Sequence, residues 1–525
     1  MKLEGLSIIG QGRAKAAGKP ASALNPATGA AIGPDYFWAS TADVDAAAQL
    51  ADRAFNVFSR WPAKQRAGLL RRIAELIETN AAAIQERANL ETGLPLGRLQ
   101  GETARTCGQL RLFASLVEDG WWQDARVDHA DPDRKPLPKP DVRSLLAPLG
   151  PVVVFSSSNF PLAFSVAGGD TASALAAGCP VIVKPHQGHL GTSELVGLLV
   201  QQAVKDCGAP EGTFSLVYGA GREVGIALVK HPLVKAVGFT GSRAGGRALM
   251  DAAAARPVPI PVYAEMGSIN PVFLLPGALK QNAEALATGL HGSVTLGVGQ
   301  FCTNPGLVFV EPGDAANNFI KKLESLMAAT PPGTMLTADL CAAYRVGVEK
   351  FSNMKGVTRA AAVETIDGGA QGGAALFTTD AGTFLPQPEL TDEIFGPSTL
   401  VVQGSSAQLL TAAQKLEGQL TATIHGTPEE LAANRELIAI LETKAGRVLF
   451  NGFPTGVEVC HAMTHGGPYP ATSDGRSTSV GTRAISRFAR PVCYQNFPEA
   501  ALPDELKDAN PIGLWRLVDG KPGRH

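Results

Sequence analysis

Cysteine is sparse in this chain. Seven occur in 525 residues, an odd number, widely spaced, with no CxxC pair and no cysteine–histidine cluster. That pattern excludes a disulfide framework and a cysteine-rich zinc module, and it fits reduced thiols in the cytoplasm. Charge is also scarce: Asp, Glu, Lys and Arg make up 18% of residues and the formal net charge is -2. No positive excess is available to grip nucleic acid or an anionic membrane, so neither is an expected partner. A fixed-period repeat is missing, and the composition excludes a disordered chain, a coiled coil or an acidic tail. No GxSxG elbow is present, which disfavours a serine hydrolase. No apolar run follows the charged start Met1-Lys2-Leu3-Glu4, so no secretory signal is expected. The longest stretch without charge, 144–169, is broken by Pro148, Gly150, Pro151 and Pro161. It reads as a buried strand followed by a loop, not as a membrane span.

What the chain does have is apolar residues, at 45%, with 58 glycines and 37 prolines. At about 100–200 residues per domain its length predicts about three domains with ample core. The glycine and proline content suits an α/β protein with many tight turns. Apolar residues between 63 and 89 recur at three and four, predicting one or two amphipathic helices ended by Gly93 and Pro95. The segment 124–141 turns polar and proline-rich, predicting a linker or an edge hairpin. Beyond it, short apolar runs at 151–155, 180–183, 213–218, 234–239 and 260–264 alternate with helical stretches. Such alternation predicts βαβ units around a parallel sheet. A second α/β run follows from about 271 to 453.

Three short segments carry chemistry. In Gly299-Gln300-Phe301-Cys302-Thr303 a thiol sits among glycine and small polar residues, where backbone amides can approach it. The other cysteines read as buried apolar thiols. In Ala264-Glu265-Met266-Gly267 a carboxylate ends a strand before a glycine turn, a favourable place for a site in an open sheet. In Ser156-Ser157-Ser158-Asn159-Phe160-Pro161 an amide follows another strand end and is able to donate to a developing oxyanion. Together they supply a nucleophile, a base and an oxyanion donor. A fourth segment, Gly238-Phe239-Thr240-Gly241-Ser242, runs from a strand into a helix start of the kind that binds phosphate. A cysteine hydrolase would explain the thiol but not this fourth segment. Gly219-Ala220-Gly221-Arg222-Glu223-Val224-Gly225 looks like a dinucleotide fingerprint but lacks its spacing.

These motifs, with Val183-Lys184-Pro185, Asn270-Pro271, Glu393-Ile394-Phe395-Gly396-Pro397 and His465-Gly466-Gly467-Pro468, resemble the aldehyde dehydrogenase superfamily over nearly the whole chain. The resemblance implies that Cys302 attacks the aldehyde, Asn159 and the Cys302 amide hold the oxyanion, and Glu265 activates water to release the acid. It implies a nicotinamide cofactor held by Lys184, His186, Arg222, Gly238, Thr240, Gly241, Ser242, Gly246, Glu393, Phe395 and His465, with no metal. His465 stands where it touches the nicotinamide or the thiol, or only holds its loop. The implied α/β fold has a Rossmann-like cofactor domain (1–123 and 148–276), a catalytic domain (277–474) and a small oligomerisation sheet from 124–147 and 475–525. A homodimer or homotetramer follows from that sheet. A retired dehydrogenase serving as a structural protein is the rival of another class, against which the presence of Cys302, Glu265 and Asn159 counts.

Two finer expectations follow. Gln187 stands where members preferring NAD often carry a glutamate, and Arg222 is placed to pair with a 2'-phosphate, so NADP is favoured over NAD. The stretch from Ser158 to Thr171, with His465-Gly466-Gly467-Pro468, resembles the branch of 2,5-dioxovalerate (α-ketoglutarate semialdehyde) and NADP-dependent fatty aldehyde dehydrogenases. The serines at 156–158 favour the polar semialdehyde, while Phe301, Phe453 and Val457 suit a long-chain aldehyde. Candidate substrate contacts are Phe160, Ser157, Phe301, Thr303 and Phe453.

Overall fold

The computed structural model describes residues 2–17, 20–364 and 369–524. Two seven-stranded sheets dominate it. In the first, five parallel strands run in the spatial order Val262–Glu265, Ala236–Thr240, Val152–Phe155, Val181–Lys184 and Phe214–Leu216, and two short antiparallel strands complete the edge. The runs VVVF and VIVK are buried along their whole length, as strands covered by helices on both faces must be. Strand order reverses between Val152–Phe155 and Ala236–Thr240. A crevice therefore opens beyond their carboxyl ends, which is where open α/β sheets bind ligands. The register places Glu265 opposite Thr240, Phe239 opposite Phe155, and Phe155 opposite Lys184. One sheet edge thus carries four of the expected functional segments.

The expected strands and helices of this unit are present, with ends displaced by a few residues. The 63–89 pattern resolves into Ala63–Thr79 and Ala81–Thr92, and the latter ends at Gly93 with φ 68°. The uncharged stretch 144–169 holds the end of one strand, a second strand and a loop. Among the described residues no helix is long and apolar enough to cross a membrane.

The second sheet contains Thr358–Ala362, Ala375–Asp380, Ser398–Gln403, Leu307–Val310, Val272–Leu274, Gln419–His425 and Ala445–Phe450, all parallel except the first. Because Val272–Leu274 lies here, the chain changes sheets within Met266–Pro271, ahead of the boundary expected at 276. Local hydrophobicity is the same on both sides of that crossing, so periodicity alone could not place it.

A five-stranded sheet joins Ala489–Gln495, Val142–Pro148, Arg126–Asp128, Arg516–Val518 and Lys521–Gly523. The polar excursion is a hairpin, with Arg126 opposite Ser144 and a bridge between Asp131 and Lys139, but its two strands lie inside this sheet, flanked by Ala489–Gln495 and Arg516–Val518, and not at an edge as expected. The chain after 475 does not all belong to this sheet. Ser477–Ser479 fold back onto the first sheet's carboxyl edge, and the strand begins only at Ala489. Just before it, the buried Arg487 donates from Nη2 to Asp170 Oδ1 at 2.6 Å. Asp170 lies on the helix Gly169–Ala177, so this ion pair fastens the small sheet's lead-in to the first unit.

Replacing Arg487 with Met leaves the Asp170 carboxylate buried and unpaired. We expect a loss of about 3–5 kcal/mol, read as a lower urea midpoint. An unchanged midpoint would show that the pair contributes nothing.

Candidate active site

A cavity of about 290 Å³ lies over the crevice, lined by Ser157, Ser158, Asn159, Thr240, Gly241, Ser242, Glu265, Cys302, Glu393 and Phe395, among others. Nine of the expected site residues meet there. The other side is closed by Leu340, Ala343, Tyr344 and Gly347. These belong to the helix Ala338–Ser352, which carried no signal beyond an ordinary amphipathic pattern.

The reacting groups sit at its centre. Cys302 Sγ is 3.4 Å from His465 Nε2, and the same nitrogen is 2.8 Å from Glu265 Oε1. Donor atoms of Glu265, Cys302 and His465 all lie within 4.8 Å of one another. Ser479 donates its hydroxyl to Glu265 Oε2. The Thr478 hydroxyl accepts the His465 backbone N–H at 2.8 Å, fixing the histidine loop. Burial and the neighbouring Glu265 charge push the Cys302 thiol well above its ordinary range, while the Arg105 charge opposes them. Burial also raises the Glu265 carboxyl, but the His465 charge and hydrogen bonds from His465, Ser479 and Cys302 outweigh it and hold the group low. Burial thus favours the proton on the thiol, the hydrogen bonds favour the charge on the carboxylate, and the two groups meet both directly and beside one imidazole.

The thiol loop is held by main-chain geometry. Gly299 has φ +65°, and a Cβ there would lie 2.2 Å from the Gly396 carbonyl carbon. Only glycine fits that backbone contact, which joins the thiol loop to the segment bearing Glu393 and Phe395. From below, Asn270 is fully buried with φ 48°, and its Nδ2 donates to the carbonyls of Cys302 and Asn304 at 2.9 Å each. Its Oδ1 accepts from Ser268 and Thr421. Gln419 Oε1 accepts from the N–H groups of Ile269 and Asn270. The Asn159 amide donates to Gln300 O at 3.0 Å, which keeps it beside the thiol loop.

Among the residues expected to hold the dinucleotide, Lys184 is buried, and its ammonium donates to Pro185 O at 3.0 Å. Burial pulls it down to about 8, which marks a cation short of a counter-anion. Ser242 caps the helix Arg243–Ala254 by accepting from Gly245 N–H. The remaining N–H groups of that first turn are the kind a phosphate takes. Gly246 packs on Met266, where a Cβ would lie 2.6 Å from Sδ. Gly238 faces Asp170 in the same close manner and stands behind the crevice rather than on it. The His186 ring accepts from Gly188 N–H at 3.0 Å, and Arg222 is exposed on the neighbouring turn. Ser268 N–H donates to Glu393 Oε1 at 3.4 Å. A buried lysine, an open helix start and a cavity reaching the thiol fit a dinucleotide.

On the opposite side of the thiol the aromatic rings of Phe160, Phe164 and Phe301 form one cluster, with Phe160 and Phe301 centroids 5.5 Å apart. Phe453 lies elsewhere. Its ring packs on His425 at 4.6 Å and closes over Gly289, away from that cluster. Thr303 is buried with its hydroxyl unpartnered among the described residues, and Ser157 gives its carbonyl to His189 Nε2.

Glu265→Gln removes one of the charges that raise the thiol. The pH midpoint for Cys302 alkylation by iodoacetamide should then move down. A midpoint that stays or rises would show that the Glu265 charge does not act on Cys302.

Comparison with known proteins matches this architecture. The aldehyde dehydrogenase family model covers residues 13–478. The chain is 51% identical over 523 residues to alpha-ketoglutaric semialdehyde dehydrogenase 2 of Azospirillum brasilense, covering 99% of this chain and 100% of that one. It is 48% identical over 480 residues to alpha-ketoglutaric semialdehyde dehydrogenase of Acinetobacter baylyi, covering 91% of each. Among solved structures, betaine aldehyde dehydrogenase from Staphylococcus aureus in complex with NAD+ superposes with TM-score 0.81 at 20% identity, over 94% of this chain and 96% of that one. An aldehyde dehydrogenase from Bacillus cereus superposes with TM-score 0.79 at 23% identity, over 94% and 96%. The fold, the thiol–imidazole–carboxylate cluster and these likenesses agree: the chain belongs to the aldehyde dehydrogenase family.

Proposed function

We propose that this protein oxidises the aldehyde group of α-ketoglutarate semialdehyde (2,5-dioxovalerate) to give 2-oxoglutarate, with NADP as preferred acceptor. The observation that carries the chemistry is the contact chain from Cys302 through His465 to Glu265 inside one cavity. The names of the relatives at 51% and 48% identity support the substrate.

The residues divide the work as follows. Cys302 Sγ, having lost its proton toward His465 or Glu265, attacks the aldehyde carbon and forms a thiohemiacetal. The free amide hydrogen of Asn159 and the Cys302 N–H stabilise the oxyanion. Bound dinucleotide supplies the hydride acceptor for that carbon. Lys184 and the Ser242 helix start hold its adenosine and phosphate end, and Glu393 with Phe395 holds its nicotinamide end. Glu265 then takes a proton from water as it attacks the thioester, and the acid leaves. His465 shares its nitrogen between thiol and carboxylate, so it orients both. For NADP, the support is the neutral Gln187, which unlike a glutamate does not repel a 2'-phosphate, and the exposed Arg222, whose guanidinium is suited to pair with one. The five-stranded sheet, with edges left open, is the proposed surface for homo-oligomer formation.

Cys302→Ala should abolish NADPH formation while NADP still binds, measured by absorbance at 340 nm and by calorimetry. Normal turnover would remove Cys302 as nucleophile. Arg222→Ala should raise the KM for NADP at least about 10-fold more than that for NAD. An equal change for both would discard its 2'-phosphate role.

A further inference from the structure

Two arginines stand over the aromatic cluster beside Cys302, a third lies on the strand Ala445–Phe450 of the second sheet, and two of the three donate to main chain. Arg98 lies 4.5 Å from the Phe301 centroid and donates from Nη2 to Asn159 O at 2.7 Å. Arg447 donates to the carbonyls of Pro454 and Gly456. Arg105 is different. Its guanidinium lies 5.5 Å from the Phe160 centroid and 5.4 Å from that of Phe164. Its Nε and Nη2 are buried without a hydrogen-bond partner among the described residues. Glu102, on the same helix Leu96–Asp119, spends Oε1 on the N–H groups of Leu162 and Ala163. One turn on from Arg105, Gln109 is 3% exposed, and its Nε2 is also buried and unpartnered among the described residues. Residues four apart share a helix face. Both line a cavity of about 550 Å³ with Leu112, Val457, Glu458 and Val459. Val457 and Val459 pack on the aromatic cluster that contains Phe301, the residue before Cys302. Side-chain contacts therefore run from Phe301, next to Cys302, through Phe160 and Phe164 to Arg105.

We propose that Arg105 and Gln109 form the subsite for the far end of the substrate, Arg105 taking the carboxylate in a fork and Gln109 the adjacent 2-oxo oxygen. The proposal rests on the semialdehyde reading of the Cys302 site and names its specificity residues. Buried donors without acceptors are costly, and an oxygen-rich anion is the ligand that satisfies them. A long-chain aldehyde carries no acceptor at its far end and would leave all of them unpaired. Phe160 and Phe164 flank the guanidinium, which strengthens its pairing by excluding water. Unlike the serines at 156–158, these residues answer the question of a polar substrate from the tunnel's other wall.

The test is the ratio of kcat/KM for 2,5-dioxovalerate to kcat/KM for pentanal, an uncharged aldehyde of equal length. In Arg105→Leu that ratio should fall about 100-fold relative to wild type, whatever common loss both substrates share. Arg105→Lys keeps a charge but loses the fork, and its ratio should fall about 10-fold. It serves as the reporter if the leucine variant does not fold. A wild type that prefers dioxovalerate, with variants whose ratio stays within about threefold of it, overturns the subsite and leaves the substrate reading standing. A wild type that prefers pentanal overturns the substrate reading itself, and the subsite with it.

Discussion

The buried Asn270 side chain is the constraint on which the active site depends. It sits on the six residues that carry the chain from one sheet to the other. Its amide holds the carbonyls of Cys302 and Asn304 while its oxygen accepts from Ser268 and Thr421. One side chain thus ties the crossing, the thiol loop and the second sheet together. Its left-handed backbone is tolerated because asparagine is among the few residues that adopt it readily. Glu265 stands at the end of the first sheet, and Cys302 stands in the second unit. Without a rigid crossing the two would be placed independently, and catalysis needs them placed together to within a fraction of an ångström.

That placement creates an electrostatic tension which the site uses. A thiol raised by burial and by a carboxylate is inert until its proton has somewhere to go. In the proposed mechanism the carboxylate that raises it is also an acceptor, in contact with the thiol directly and beside His465. The same feature that protects the nucleophile from solution chemistry therefore offers it a path to activation. Ser479 and Thr478 arrive from the chain's far end to hold the carboxylate and the imidazole loop. Nδ1 of His465 is buried and unpartnered among the described residues, so the pair's geometry does not rest on it.

Much of this was legible in the sequence, because the reacting groups lie in short segments whose residue types announce their chemistry. Cys302 among glycines, Glu265 at a strand end and Asn159 before a proline are local signals, and the cavity unites them. The parallel sheet was legible for the same reason, since each buried strand is a compact apolar run. What escaped depends on distance. Ser479 meets Glu265 across 214 positions, and nothing near either residue foretells it. Arg105 and Gln109 look like an ordinary helix face until their donors are seen to lack partners. Phe453 carried the right chemistry for a tunnel but was drawn to His425 in the second unit. The crossing at Met266–Pro271 was hidden because both sheets begin and end with the same kind of residue.

Gly299 against Gly396 has a consequence for how such a protein can diverge. A side chain at Gly299 would strike the Gly396 backbone, and one at Gly396 would strike the Tyr344 ring, so neither position admits one without displacing the Glu393 segment from its neighbours. The rings beside the thiol carry no such burden: Phe160 meets Phe301 and Arg105 through side chains. Selection can therefore rewrite what the enzyme accepts while the bond-making apparatus stays frozen. A lineage built this way explores new aldehydes by exchanging side chains and never has to reinvent the reaction.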